Sequence, residues 1–189
     1  MKTYPYLKVI TVACVGALAS CATTPKTQKM SVSTSLRPDT SLTGQVFREV
    51  NSYRRSHGAS ELQRHAGLDR LAQEHCEYLR QHRGQFGLYG KNVSHYGFDG
   101  RALMARQAYN MENISENVAA ANAPGSNAAP TLLKLWAESK DHEFNMRGGW
   151  TCTGIGAVVD SDGTVFSTQL FATGASYSQL ASRDRFSQH

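Results

Sequence analysis

The order of two periodicities along the chain sets the strongest limit on its fold. Residues 42–57 and 67–82 each place apolar side chains three or four positions apart, which is typical of amphipathic helices. Near the other end, two β-rich runs, 153–160 and 164–172, flank the turn Ser161-Asp162-Gly163. This turn predicts a β-hairpin, because glycine tolerates positive φ. Helices first and a hairpin last, with no strand–helix alternation, predict an α+β sandwich.

Shorter elements are predicted in the middle of the chain. Three glycines indicate a loop over residues 83–94, and residues 101–109 are good helix formers. Residues 117–123 are small and apolar and predict a short strand or an extended segment. The Pro, Gly, Ser and Asn content of residues 121–130 predicts a surface loop, and Thr131 is predicted to open another helix.

The N-terminus has the features of a bacterial export signal. Lys2 and Lys8 precede an uncharged run, Val9 to Ala19, that is too short for a permanent membrane span. The run ends in Leu18-Ala19-Ser20-Cys21, which resembles a lipobox, so residues 1–20 are predicted to be a signal peptide and Cys21 a lipidation site. An ordinary cleaved signal peptide with an incidental cysteine is the alternative.

The predicted anchor defines the remaining organisation. Acyl chains on Cys21 would hold the protein to the lipid bilayer. The residue after the cysteine is Ala22 and not Asp, which by resemblance to Gram-negative sorting rules favours the outer membrane of the cell envelope over the inner. Residues 21–41 are too polar to offset backbone ordering and are predicted to form a flexible tether. Residues 42–173 are predicted to form one domain, and residues 174–189 a polar tail.

Composition and motifs exclude several functions. The chain of 189 residues has a net charge of +5, but its positive side chains are scattered among acidic ones, so nucleic acid is not an expected partner. No glycine-rich phosphate loop follows a strand, and no Gly-x-Ser-x-Gly nucleophile motif is present.

The four cysteines leave one pair to assign. Cys14 belongs to the leader and Cys21 to the anchor, so Cys76 and Cys152 are the only pair in the domain. An oxidising envelope would permit a disulfide between them. Two separate buried thiols are the other interpretation, since the sequence gives no geometry.

The order of several short motifs resembles bacterial members of the CAP superfamily, named after cysteine-rich secretory, antigen-five and pathogenesis-related proteins. These motifs are Asn51-Ser-Tyr-Arg54, His95, Arg101, Glu116-Asn117-Val118-Ala119, Trp136, Ser139-Lys-Asp-His142, Asn145, Gly154-Ile-Gly156 and Thr168-Gln169-Leu170-Phe171. The resemblance implies a secreted, three-layer α-β-α sandwich whose central, mostly antiparallel sheet ends in the C-terminal hairpin. It also implies a large cleft lined by histidines and glutamates, which in some members binds a divalent cation such as zinc.

The resemblance assigns candidate residues one by one. His95 matches the first family histidine, Glu116 the glutamate of the Glu-Asn motif, and His142 the histidine of the bacterial Ser-x-x-His segment. Ser139 stands where animal and plant members have a second glutamate, with Glu138 one residue earlier as a candidate. Two imidazoles and a carboxylate suit Zn²⁺ and leave a position for water, so a zinc site at 95, 116 and 142 is the expected metal centre if there is one.

Three functions remain open on this basis. The first is a binding module whose cleft takes a small apolar, lipid-like or peptide ligand, with or without a divalent ion, and whose walls Asn117 and Asn145 hold. The second is a metal-dependent hydrolase of peptide or cell-wall material, with Glu116 as general base. The third is a surface for another envelope protein. The first is preferred, because a fold does not fix a function and no local metalloprotease motif is present.

Overall fold

In this computed structural model the described residues are 39–85, 94–123 and 125–174. Within these ranges the chain forms five helices and four strands. In chain order they are α1 (Leu42–Ser56), β1 (Gln63–Arg64), α2 (Ala66–Gln81), α3 (Phe98–Tyr109), β2 (Met111–Asn122), α4 (Ala128–Ala137), α5 (Lys140–Arg147), β3 (Cys152–Val159) and β4 (Thr164–Gly174).

The four strands form one mixed sheet in the order β1-β3-β4-β2. The short β1 pairs with β3 in parallel, whereas β4 pairs antiparallel with both β3 and β2. The β3–β4 hairpin is confirmed, and Gly163 has φ 82° in its turn, which a side chain would disfavour. The long β2 lies at one edge of the described sheet, and this position matters for the cleft described below.

Helices cover both faces of the sheet and make the predicted three layers. The apolar stripe of α2 packs with α3 on one face, and α1, α4 and α5 pack on the other. The largest cluster contains Val46, Val50, Leu132, Trp136, Met146, Ile155, Val165 and Phe171. Because strand side chains alternate, Phe166 and Leu170 of β4 point to the opposite face and pack in two smaller clusters with α2.

Two glycines let α2 lie directly on the sheet. A Cβ at Gly154 would overlap the backbone of Leu68, and a Cβ at Gly156 would overlap the backbone of Ala72. The side-chain amide of Gln73 adds an acceptor there, since the backbone N–H of Ala157 donates to Gln73 Oε1 over 3.0 Å. The contact therefore combines helix backbone with strand backbone, and it fixes the position of the whole α2 layer.

The middle of the chain differs from its sequence-based prediction. The short strand expected over 117–123 is the 12-residue β2, which begins at Met111. The surface loop expected over 121–130 is wrong, because Ala121 is buried in β2 and α4 begins at Ala128, three residues before Thr131. Small residues are typical of loops, but here the alanines are buried where helix and sheet approach closely.

Cys76 and Cys152 are separate free thiols in the structure, which decides between the two sequence interpretations. Cys76 packs with Leu79 and Phe166, whereas Cys152 lies in another cluster. There its Sγ is 3.7 Å from Sδ of Met111. Burial raises the pKa of Cys76 to about 12, so its thiol is protonated and unreactive in the folded chain.

The predicted leader, the lipidation site Cys21 and most of the predicted tether lie outside the described residues, as does the tail beyond Gly174. Within the part of the chain that is described, no helix has the length and hydropathy needed to cross a bilayer.

Candidate functional site

The candidate site wraps around the free edge of β2. Glu116 and Asn117 are neighbours on this strand, so their side chains point to opposite faces of the sheet. Glu116 meets residues of the α3 side, and Asn117 meets α5 on the other side. Because no described strand lies beyond β2, groups from the two faces come together around its edge.

Glu116 is buried and fully engaged. Its Oε2 accepts from Arg101 Nε over 2.7 Å, and its Oε1 accepts from Arg101 Nη2 and from His95 Nδ1, each over 2.9 Å. Burial alone would raise the pKa of Glu116, but the hydrogen bonds from His95 and Arg101 outweigh it and hold the pKa below its usual range. The carboxylate is therefore ionised and held in a fixed orientation.

His142 approaches this ion pair from the other side of the edge. The centroid of its ring lies 6.1 Å from that of His95. Burial, with a smaller effect of His95, lowers the pKa of His142 below its usual value despite the opposing charge of Asp141. His142 is therefore neutral at pH 7 and offers one donor and one acceptor nitrogen.

Two asparagines attach α5 to β2. Asn117, which is fully buried, donates from Nδ2 to the backbone oxygen of His142 over 3.0 Å. Asn145 donates to Asn117 Oδ1 over 2.9 Å and to the backbone oxygen of Glu116 over 3.3 Å. The two amides thus hold the helix that carries His142 against the strand that carries Glu116.

The site contains two adjoining pockets. A polar cleft of about 450 Å³ is lined by His95, Glu116, Glu138, Ser139, Lys140, Asp141, His142 and Asn145. A smaller pocket of about 220 Å³ is lined by Val118, Ala119, Ala120, Leu135, Trp136, Glu138, Ser139 and His142. All the predicted site residues except the buried Asn117 therefore line the cleft, and three of them, Glu138, Ser139 and His142, line both pockets.

The family model for the cysteine-rich secretory protein family matches this chain over residues 47–171. This range covers every helix and strand except the start of α1 and the end of β4. The chain belongs to the CAP family. The comparison with curated proteins found no match to this chain.

Three solved structures share the CAP fold with this chain. An outer surface protein of Borrelia burgdorferi is 15% identical with a TM-score of 0.55, over 69% of this chain and 90% of that one. A cysteine-rich secretory protein of Staphylococcus aureus is 15% identical with a TM-score of 0.50, over 69% of this chain and 38% of that one. An extracellular SCP-domain protein of Bacillus anthracis is 23% identical with a TM-score of 0.53, over 70% and 40%. At these identities the similarity shows the fold alone, and the chain spans well under half of the last two proteins.

The residues of this CAP domain do not fit the predicted zinc triad. Both oxygens of Glu116 are occupied by Arg101 and His95, and a dication on Glu116 would lie against the Arg101 guanidinium. Across the described ranges, no three His, Cys, Asp or Glu side chains come close enough together to hold a metal ion. Arg101 supplies, beside Glu116, the positive charge that a zinc ion would supply in the predicted site.

Two further residues of the site had no predicted role. Arg101, in the first turns of α3, is the main partner of Glu116 and is largely buried. His75 is buried, and its Nε2 donates to the backbone oxygen of Ser94, next to His95. Its place in the apolar stripe of α2, after Leu71 and Ala72, was the available signal for burial. No sequence pattern indicated the pairing of Arg101 with Glu116.

Proposed function

We propose that this CAP domain binds an amphipathic small molecule across the two adjoining pockets. The apolar part occupies the pocket between β2 and α4, and the polar part occupies the cleft between His95 and His142. The observation that carries the proposal is the shared wall, since Glu138, Ser139 and His142 line both cavities. A ligand with one apolar and one polar end matches that change of character over a few ångströms.

The apolar end has a suitable wall. The strand contributes Ala119 and Ala120 to the lining, and the helix contributes Leu135 and Trp136. Apolar surface that a ligand removes from water here contributes about 25 cal/mol per Å² before the costs of association. A pocket of about 220 Å³ takes a short segment of an acyl chain or a small ring, with the rest of the ligand in the cleft.

The polar end meets hydrogen-bonding groups that are still available. His142 is neutral at pH 7 because burial lowers its pKa, so its ring can accept as well as donate. Glu116, in contrast, is held ionised by Arg101 and His95, and its lowered pKa makes it a weak general base. This difference supports binding over the hydrolase alternative, which needed Glu116 to take a proton.

We further propose that the domain is attached to the cell envelope through lipidated Cys21, on the outer membrane of a Gram-negative cell. The lipobox-like Leu18-Ala19-Ser20-Cys21 sequence supports attachment, and the surface or extracellular character of two similar proteins supports an envelope location. A domain tethered beside a bilayer would be close to a source of lipid-like ligands.

The proposal is tested with tritiated palmitate in equilibrium dialysis against the purified protein. Ser139→Trp places an indole at the wall between the pockets, and it is expected to weaken palmitate binding by about tenfold or more. Gln107→Trp, which adds the same side chain on the exposed side of α3, is the matched control and is expected to change binding by less than about twofold. Absence of palmitate binding, or equal binding by both variants, would disprove the proposal.

A further inference from the structure

A further cavity of the described chain is separate from the cleft. It is a groove of about 770 Å³ between the segment that follows α1 and the end of α5, and it shares no lining residue with either pocket of the cleft. One wall carries His57 and Ser60, and the other carries Phe144 and Trp150. Arg54 lies between these walls and also lines the groove.

Arg54 is a buried cation without a carboxylate partner. Its residue is 1% exposed, yet none of the described Asp or Glu side chains forms an ion pair with it. Its Nε donates to the backbone oxygen of Ser60 over 2.7 Å, and its Nη1 donates to the backbone oxygens of Met146 and Gly148. Carbonyls at the end of α5 carry partial negative charge and stabilise the guanidinium in part. A full counter-charge is what a buried guanidinium ordinarily has.

The guanidinium has donors to spare. Three hydrogen bonds use Nε and Nη1, while Nη2, with two N–H groups, donates to none of the described residues. Nη2 is not among the fully enclosed atoms that lack a partner. Since Arg54 lines the groove and its Nε and Nη1 are bonded to backbone oxygens, Nη2 is the nitrogen left to face the groove, through the 1% of the residue that is exposed. A fixed, positively charged N–H donor of this kind suits a carboxylate oxygen, which accepts a charge-assisted hydrogen bond from it.

The acidic residues of the groove do not meet this demand. Glu61 pairs with Arg55, and both side chains are more than half exposed. Glu143 accepts from Tyr53 over 3.1 Å and from Arg147 over 3.2 Å. Each carboxylate therefore has its own partner, and the positive charge of Arg54 is left for a ligand.

We propose that this groove is a second binding site that takes a carboxylate-bearing sugar. The carboxylate accepts from Nη2 of Arg54, and the sugar ring lies against the aromatic wall of the groove.

The lining favours a sugar over a purely apolar acid. Phe144 is 73% exposed, an unusual position for a side chain of this size, and it presents a free aromatic face. Trp150 is half-buried and held in place, because its indole N–H donates to the backbone oxygen of Asn145 over 2.7 Å. Hydroxyl and amide groups of Ser60, Gln63 and Thr151 complete the rim. Flat aromatic faces with interspersed hydrogen-bonding groups suit a ring that has an apolar face and hydroxyl edges.

The test compares two sugars that differ by one acidic substituent. N-acetylmuramic acid is N-acetylglucosamine with an added lactyl carboxylate, and isothermal titration calorimetry on the purified protein measures the affinity for each. The affinity for the acidic sugar is expected to exceed that for the neutral one by about tenfold or more, because its carboxylate adds a charge-assisted hydrogen bond from Arg54. Phe144→Ala is expected to weaken binding of the acidic sugar by about threefold or more.

Because Arg54 joins three segments, replacing it is expected to destabilise the domain, so a pair of variants probes its charge from outside. Ser60→Glu puts a carboxylate on the groove wall beside Arg54 and is expected to reduce affinity for N-acetylmuramic acid by about tenfold. The neutral Ser60→Gln is expected to change it by less than about threefold. The cleft variant Ser139→Trp is expected to leave it unchanged, which separates this site from the proposed cleft function.

Three results would overturn the proposal: equal affinity for the two sugars, no measurable binding of the acidic sugar, or equal effects of Ser60→Glu and Ser60→Gln. Loss of binding in Ser139→Trp alone would also overturn it, since the acidic sugar would then occupy the cleft.

Discussion

Arg101 donates two hydrogen bonds to the carboxylate of Glu116, over 2.7 Å from Nε to Oε2 and 2.9 Å from Nη2 to Oε1. The Glu116 side chain is 2% exposed and that of Arg101 is 11% exposed, so the pair is almost dry. Glu116 therefore belongs to a buried ion pair whose charges neutralise each other, and replacing it should change the free energy of unfolding.

Glu116→Gln is expected to lower the free energy of unfolding by about 3 kcal/mol at neutral pH, because it leaves the buried Arg101 charge unpaired. Urea denaturation measures the loss. The exposed Glu138 pairs with Lys134 only at 3.7 Å, so Glu138→Gln is the matched control and is expected to cost less than about 0.5 kcal/mol. Equal losses in the two variants would contradict the prediction.

The stability difference between the wild type and Glu116→Gln should also depend on pH. The pKa of Glu116 is lowered in the folded chain, so its stabilisation is complete above the unfolded pKa of about 4.3 and is lost as pH falls through the folded pKa. The stability difference between the wild type and Glu116→Gln should therefore shrink as pH falls below about 4.3. A difference that stays constant into strong acid would show that the ion pair is not its source.

The buried histidines predict a second loss of stability at mildly acidic pH. Burial lowers the pKa of both His75 and His142, so the unfolded chain takes up protons first as pH falls below about 6.5. The free energy of unfolding should decrease between about pH 7.5 and about pH 5.5, and His142→Gln should reduce that decrease. A flat wild-type profile would refute the interpretation.

The contact between α2 and the hairpin predicts an intolerance of side chains at Gly156. Gly156→Ala is expected to destabilise the domain by about 1–3 kcal/mol, because the new Cβ overlaps the backbone of Ala72. In Gly100→Ala, a Cβ within α3 meets nothing within 4 Å, so this variant is expected to be neutral or stabilising by up to about 1 kcal/mol. Thermal unfolding of both variants checks the difference, and a neutral Gly156→Ala would contradict the observed packing.

The two domain cysteines are expected to behave as independent thiols. Iodoacetamide labelling with peptide mapping should modify Cys152 faster than Cys76 in the folded protein, because Cys76 is fully buried with a pKa of about 12. In urea both should react without prior reduction. Labelling that appears only after a reductant is added would instead reveal a disulfide.

Attachment through Cys21 is checked by cell fractionation. Cys21→Ser removes the sulfur that would carry diacylglycerol, and the protein is expected to move from the membrane to the soluble fraction. Cys14→Ser, which alters only the predicted leader, is the control and should remain with the membrane. Unchanged fractionation of Cys21→Ser would refute lipidation.

Local patterns were enough to predict the first two helices and the last hairpin. The helices α1 and α2 and the β3–β4 hairpin follow from spacing and from one turn glycine, which are properties of neighbouring residues. The region of β2 and α4 could not be predicted this way, because alanines at 119–121 and 128–129 are ambiguous until the opposing layer is known. Their burial depends on contacts between distant segments.

The candidate site was predicted in membership but not in chemistry. His95, Glu116 and His142 were identified from motif order in the family, and they line one cleft. What Glu116 does there depends on Arg101, 15 residues away in sequence and on a different element. Motif order names the residues of a site, whereas their charge balance comes from partners that only the fold brings together.

The way Arg54 is held has a consequence for sequence change. All three of its acceptors are main-chain oxygens, at Ser60, Met146 and Gly148, and every amino acid supplies such an oxygen. At the exposed Ser60, a substitution can therefore remodel the groove rim while the backbone oxygen still accepts from Arg54. Grafting new loops onto this end of the domain should be tolerated wherever the backbone path is kept, which makes the groove a natural platform for engineered recognition.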